Sequence, residues 1–145
     1  MRLYYFLYSF FYFIKLAFIK KHYRIIFYAP HHFNRGENSE NIFLKDLLNV
    51  CEIHNLSFLY LEEPDFYSNQ KRSNKAIPFD FIYYLIILLR KFMRSDMSHI
   101  VKDKKIGSFI RKIFFRNLTF DNYITISQSM LSFFNGVNSR INHDN

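Results

Sequence analysis

Tryptophan is absent from this chain of 145 residues, cysteine occurs once, and glycine and proline occur three times each. A lone Cys51 excludes an intrachain disulfide and fits a reducing compartment. It shares a helical stretch with Leu44, Leu47, Leu48 and His54, which marks it as a small core residue rather than a nucleophile. So few glycines leave no room for a phosphate-cradling loop, and neither a Walker loop nor GxGxxG is present. The G-x-S-x-G elbow is also missing, so Ser127 and Ser129 read as capping residues rather than nucleophiles. His31 and His32 are adjacent, with no His or Cys partner at a metal-ligand spacing, so they read as a hydrogen-bonding pair and no metal is expected. No RNP or KH signature supports an RNA-binding fold.

Apolar residues fill 50% of positions, which argues against disorder. One domain with a single core is expected at this length. Aromatics reach 21%, with 19 Phe and 11 Tyr. The wider excess of Phe, Tyr, Ile, Asn and Lys is what AT-rich codons produce, and codon bias is a sufficient source for much of it. The net charge of +8 is unevenly spread. Residues 1–29 carry +5, residues 30–65 carry −5 and residues 90–116 carry +7. Such a division suggests an anionic surface on the basic side and a separate polar site.

Residues 3–19 (LYYFLYSFFYFIKLAFI) form a nearly unbroken apolar run, closed by Lys20, Lys21, His22 and Arg24. It is short for a span of about 20 residues, and it lacks the cleavage pattern of a signal peptide. Three readings stand: an aromatic helix in the membrane interface, a tilted short span, or a helix packed on the domain. After it comes a regular alternation. Strands are expected over 24–29, 57–62 and 123–127. Helices are expected over 41–54, 78–92 and 97–115, with a short one over 129–134. Asn38 is the expected N-cap of the first of these helices, and Pro78 the first position of the second. The run 81–89 has no polar face, so it is deeply buried or touches lipid. Strands separated by helices predict an α/β fold, a Rossmann-like parallel sheet of about three strands flanked by helices and preceded by the aromatic helix. The expected organisation is a membrane-interface helix at 1–22, an incomplete Rossmann-like half-domain at 23–137 and a disordered tail at 138–145.

Each expected strand runs into polar side chains, and in a parallel sheet such ends share one rim, where ligands bind. The loop after the first strand (APHHFNRGENSEN) supplies His31, His32, Asn34, Arg35, Gly36, Glu37 and Asn38. The second strand adds Glu62, Glu63 and Asp65, and the third Ser127, Gln128 and Ser129. Carboxylates, amides and imidazoles together suit a hydroxyl-rich ligand. His31, His32 or Glu37 near an acceptor hydroxyl could act as general base. Glu63, Asp65, Asn34, Arg35, Gly36, Asn38, Ser127 and Gln128 would bind such a ligand. The basic stretch 90–116 interleaves cations with aromatics. It reads as a solvated face, as an attraction to anionic lipid worth ~1 kcal/mol per cation, or as a nucleic-acid surface. On the lipid reading the contacts are Lys20, Lys21, Arg24, Lys104, Lys105, Arg111 and Lys112.

The segment RIIFYAPHHFNRGENSENIFLKDLLNVCEIHNLSFLYLEEPD, with KAIPFDFIYYLIILLRKF and YITISQSMLSFFNGVN, resembles the start of bacterial cell-surface polysaccharide glycosyltransferases of the two-lobed GT-B type. The likeness covers most of residues 24–138 and rests on overall pattern rather than on a short motif. It implies an acceptor-side lobe, with transfer in a cleft against a second lobe that binds the sugar nucleotide. That nucleotide is the cofactor-like donor of a complete enzyme, and none is expected on these residues. The resemblance also implies a peripheral position on the cytoplasmic face of the inner membrane, with a short N-terminal span as the variant. The expected partners are that membrane surface, a lipid-linked sugar acceptor and a missing C-terminal lobe, the chain being truncated relative to the group. A non-enzymatic membrane module and a basic RNA-binding domain are the competing readings.

Overall fold

The computed structural model describes residues 2–30, 41–64, 71–92, 99–125, 130 and 133–137, of which 99–103 are described by backbone alone. In chain order they form α1 (Arg2–Phe18), β1 (Lys21–Ala29), α2 (Lys45–Ile53), β2 (Phe58–Glu62), β3 (Ala76–Pro78), α3 (Asp80–Phe92), α4 (His99–Phe114) and β4 (Leu118–Thr125). Residues 133–137 are also helical. The fold is α/β, as the alternation predicts, but the sheet has four strands in the order β3-β2-β1-β4, all parallel. The order reverses between β1 and β4, because the chain steps outward from β1 to β3 and then returns to the other side of β1.

β1 is central because both of its faces can be buried. Ile26 and Tyr28 face one layer, while Phe27 and Ala29 face the other. A strand that is apolar on both sides belongs inside a parallel sheet. The first layer is built from α1, α3, α4 and residues 133–137, with Phe13, Leu16, Phe79, Ile82, Ile110 and Phe134 in its core. Among the described residues the second is α2, whose Leu48 and Cys51, with Leu44 just before it, cover Phe27, Tyr60 and Ala76. Cys51 is the small core residue its spacing implied, and burial pushes its thiol up.

Local signals explain the element ends and four departures from the sequence expectations. The helix expected from residue 41 starts at Lys45. Asn41 is buried, its Oδ1 accepts the Phe43 N–H at 3.0 Å, and its carbonyl accepts the N–H groups of Leu44 and Lys45. This Asx turn occupies the first residues. Asn38, the expected cap, lies outside the described residues. At the other end Asn55 has φ 51°, and the Leu56 N–H reaches the Cys51 carbonyl at 2.8 Å, a left-handed C-terminal cap. Pro78 does not open α3 but closes β3, an edge strand where a missing N–H is tolerated. The third expected strand, over 123–127, is β4, which begins five residues earlier, at Leu118, and pairs along β1 from Lys21. The fourth departure is β1 itself, which starts at Lys21 rather than 24.

Alternation breaks once along β1. The N–H groups of Arg24 and Ile25 both donate to the Ser57 carbonyl, at 2.9 and 3.3 Å. Two residues opposite one is a β-bulge. It lets Tyr23 and Ile26, three apart, face the same layer, and their β4 partners Phe120 and Tyr123 follow suit.

The first layer is held by rings. Phe79 meets Tyr28 at 5.2 Å and Phe13 at 5.7 Å, both edge to face, and lies 6.4 Å from Phe115. Tyr28 also lies 5.5 Å from Phe134. Such pairs add about 0.5–1.5 kcal/mol each beyond burial. Phe79→Ala is therefore expected to destabilise the fold by about 3–5 kcal/mol, read as a lower urea midpoint with an unchanged slope. Ile53→Ala on the outer side of α2 should cost less than about 0.5 kcal/mol.

Candidate functional site

The carboxyl ends of the strands form one rim, and the reversal in strand order puts the switch point between β1 and β4. There Tyr28 pairs with Thr125, the last residue of β4. In open parallel sheets the ligand crevice opens at this place. The segments that leave it, 31–40 after Pro30 and 126–129 after Thr125, lie outside the described residues. With them go His31, His32, Asn34, Arg35, Gly36, Glu37, Asn38, Ser127 and Gln128. Asp65 is also outside.

Glu63 is described and stands at the rim. Its N–H donates to the Ala29 carbonyl at 3.1 Å, and its Oε1 accepts the Tyr28 hydroxyl at 2.8 Å. Burial, reinforced by the Glu63 charge, raises the Tyr28 phenol far above its ordinary range, so it stays a donor. Glu63 is thereby fixed beside the last residues of β1. It is half-buried, with room to accept a further hydrogen bond.

Beneath it lies a buried ionic group, of which sequence reasoning places Glu62 at the rim but misses the pairing of Arg72 with Asp80. Glu62 ends β2 fully buried at 0% exposure, and its Oε2 accepts the Tyr60 hydroxyl at 2.7 Å. Arg72 and Asp80, also buried, form a two-pronged ion pair, one arm running from Nη1 to Oδ1 and the other 3.1 Å from Nη2 to Oδ2. The guanidinium lies over the Tyr5 ring at 4.5 Å, and the Arg72 N–H donates to the Tyr5 hydroxyl at 2.9 Å. Ser9, buried on α1, accepts the Phe81 N–H at 3.0 Å. α1 is thus tied by hydrogen bonds to the segment entering β3 and to the first turn of α3. Desolvation raises the Asp80 carboxyl and outweighs the lowering by Arg72, while Glu62 adds to the rise. A clue was available in the sequence: α3 is apolar apart from one acid in its first turn and cations in its last. An acid at the start of a helix that must be buried needs a cation, and residues 71–75 hold three.

The expected lipid contacts divide. Lys20, Lys21, Lys104, Lys105 and Lys112 are exposed. Arg24 donates to Asp121 at 2.9 Å, beside His22, whose Nε2 lies 3.3 Å from the same carboxylate. Arg111 is half-buried instead, its guanidinium 5.3 Å over the Phe133 ring and packed against Gly136. A Cβ at Gly136 would stand 2.8 Å from the Arg111 Cζ, so glycine is what permits that approach. Among the described residues no three His, Cys, Asp or Glu side chains gather in a metal-binding arrangement. No family model, curated protein or solved structure matches the chain.

Breaking the buried pair should cost more than removing it. Arg72→Met alone leaves the buried Asp80 without its cation and is expected to destabilise by about 3–5 kcal/mol, while Arg72→Met combined with Asp80→Leu recovers most of that loss. A urea double-mutant cycle measures the difference.

Proposed function

We propose that the chain is the acceptor-side lobe of a glycosyltransferase of bacterial cell-surface polysaccharide synthesis, working on the cytoplasmic face of the inner membrane. The observation that carries this reading is the reversal of strand order between β1 and β4. Their carboxyl ends lead directly, in sequence, into residues 31–40 (HHFNRGENSE), rich in hydrogen-bonding and proton-transferring side chains, and 126–129 (ISQS), which adds two hydroxyls and an amide. A sugar acceptor needs many donors and acceptors around one reacting hydroxyl. Glu63, Asp65, Asn34, Arg35, Gly36, Asn38, Ser127 and Gln128 would orient it. His31, His32 or Glu37 would take the hydroxyl proton as that oxygen attacks the anomeric carbon of the donor sugar, and the nucleoside diphosphate would leave with the bonding electrons. The donor belongs to a second lobe that these residues do not include, so the chain alone should bind acceptor without transferring sugar.

A second reading, a peripheral membrane module without sugar chemistry, draws on the exposed apolar and cationic surface of α1 and α3. Titrating the protein with lipid-linked oligosaccharide, sugar nucleotide, anionic vesicles and RNA separates the readings. Binding of the lipid-linked sugar without transfer is the expected result. Tight RNA binding that collapses with salt would replace both readings.

Once complemented by a donor lobe, His32→Ala or Glu37→Ala is expected to slow transfer by about 10²- to 10⁴-fold, as loss of a general base does. Glu52→Ala should leave the rate unchanged. Glu52 lies on α2, exposed and paired with Lys75 at 3.1 Å, and an exposed pair contributes no more than about 1 kcal/mol to stability. Small, equal effects at His31, His32, Arg35 and Glu37 would reduce the loop to a connector.

A further inference from the structure

α1 and α3 lie antiparallel on one face of the sheet. Phe13 meets Phe79, Phe10 meets Phe81, and Phe6 meets both Phe81 and Tyr84. The buried side of α1 is Ser9, Phe13 and Leu16. Its opposite side is uncovered and, apart from Lys15, carries no charge: Leu3 is 70% exposed and Phe11 65%, with Leu7 and Tyr8 also open. On the helical wheel Leu3 and Leu7 stand one step beyond Phe6 and Phe10, next to the seam. Across that seam Tyr84, Leu88 and Phe92 are exposed at four-residue intervals along α3. The two helices therefore present one apolar surface rather than two separate stripes.

What covers a surface like this is decided by the charges around it. α1 contains no acid, and its cations are Arg2 and Lys15. The one acid of α3, Asp80, is buried against Arg72, and its last turn carries Arg90 and Lys91. α2, on the far side of the sheet, also exposes Leu47, Val50 and Ile53, but interleaves them with Lys45 and the acids Asp46 and Glu52. One face thus combines large apolar side chains with cations alone, and the other mixes in acids. The first is the composition of a bilayer interface with anionic headgroups, where rings and aliphatic side chains enter the acyl boundary and Lys or Arg reach the phosphates. No helix among the described residues is long and apolar enough to cross a membrane. At 17 residues α1 is about 25 Å long, less than the roughly 30 Å of the hydrocarbon core.

We propose that the paired outer faces of α1 and α3 are a docking surface for an anionic lipid bilayer, with both helices lying in the interface. This rests on the membrane position in the proposed function and adds the element that position lacked. α3 is the second half of the contact, whereas Arg111 of α4 faces inward.

The absence of tryptophan makes the test direct, since a single introduced indole reports its own surroundings. Leu7→Trp on α1, Leu88→Trp on α3 and Val50→Trp on α2 replace exposed side chains in the full chain. The probe is vesicles of equal parts phosphatidylcholine and phosphatidylglycerol, with pure phosphatidylcholine for comparison. Emission from the α1 and α3 indoles should shift to the blue and become shielded from an aqueous quencher on adding anionic vesicles, while the α2 indole stays unchanged. Binding should fall roughly ten-fold on pure phosphatidylcholine and weaken with salt, because the cationic contribution is screened and the apolar one is not. Vesicle binding that shields the α2 indole instead would overturn the α1–α3 surface while leaving a membrane position intact. A chain that ignores vesicles altogether would overturn both. A blue shift that grows with protein concentration and needs no lipid would assign the surface to a second copy of the chain.

Discussion

The ring of Phe79 sits edge-on to Tyr28, and most of the molecule's order passes through that contact. Phe79 is the single residue between β3 and α3, and its N–H donates to the Glu62 carbonyl at 2.9 Å. Its ring binds the carboxyl end of β1 to α1 and to Phe115 at the end of α4. Tyr28, from the other side, holds Glu63 through its hydroxyl and touches Phe134. The rim from which the polar loops depart is therefore placed by a packed aromatic hub, not by the loops themselves. Interiors this dense have few alternative arrangements, and a rim anchored in one can hold a side chain to the tolerance that chemistry needs.

Much of the architecture could be read from the chain because apolar runs of the right length alternate with helical periodicity. Residues 25–29 and 58–61 are apolar enough to be buried on both faces, and β1 and β2 lie where that pattern puts them. β3 escaped because three residues carry no periodicity, and its proline imitates a helix start. The first half of β4 escaped for another reason. Asn117, Thr119, Asp121 and Asn122 read as a turn, yet Leu118 and Phe120 between them are buried against the helical layer. The aromatic excess, explicable by codon usage, is nevertheless placed with geometry: the rings that meet are mostly edge to face. The rim's position followed from the strand ends, but its foundation did not. Arg72 and Asp80 are eight residues apart, and only the folded path from β3 to α3 brings them together.

The distribution of charge follows the layers. Cations and rings accumulate on the side of α1 and α3, and acids on the side of α2 and along the carboxyl rim. With the α1–α3 layer against a bilayer, the sheet would lie over the lipid with one layer of helices between, about 10 Å thick. Its rim would then open sideways, parallel to the membrane. A sugar carried on a lipid anchor would enter such a crevice from the edge without leaving the headgroup region, which ties the two proposals to one geometry.

The bulge at Arg24 and Ile25 divides the sheet into two halves that differ in phase. Beyond it toward the rim, even-numbered positions of β1 face the layer that holds α1, α3 and α4, and before it an odd-numbered one, Tyr23, does so. The extra residue works as a phase shifter for both β1 and its neighbour β4. Losing one residue there would remove the bulge and leave Tyr23 two positions from Ile26, so strict alternation alone would keep it in the layer, along with its hydrogen bond to Tyr12 at 3.1 Å. The carboxyl half would keep its facing. Length changes at that point are thus insulated from the rim, so the amino end of the sheet can drift in sequence and register while the crevice end keeps its frame.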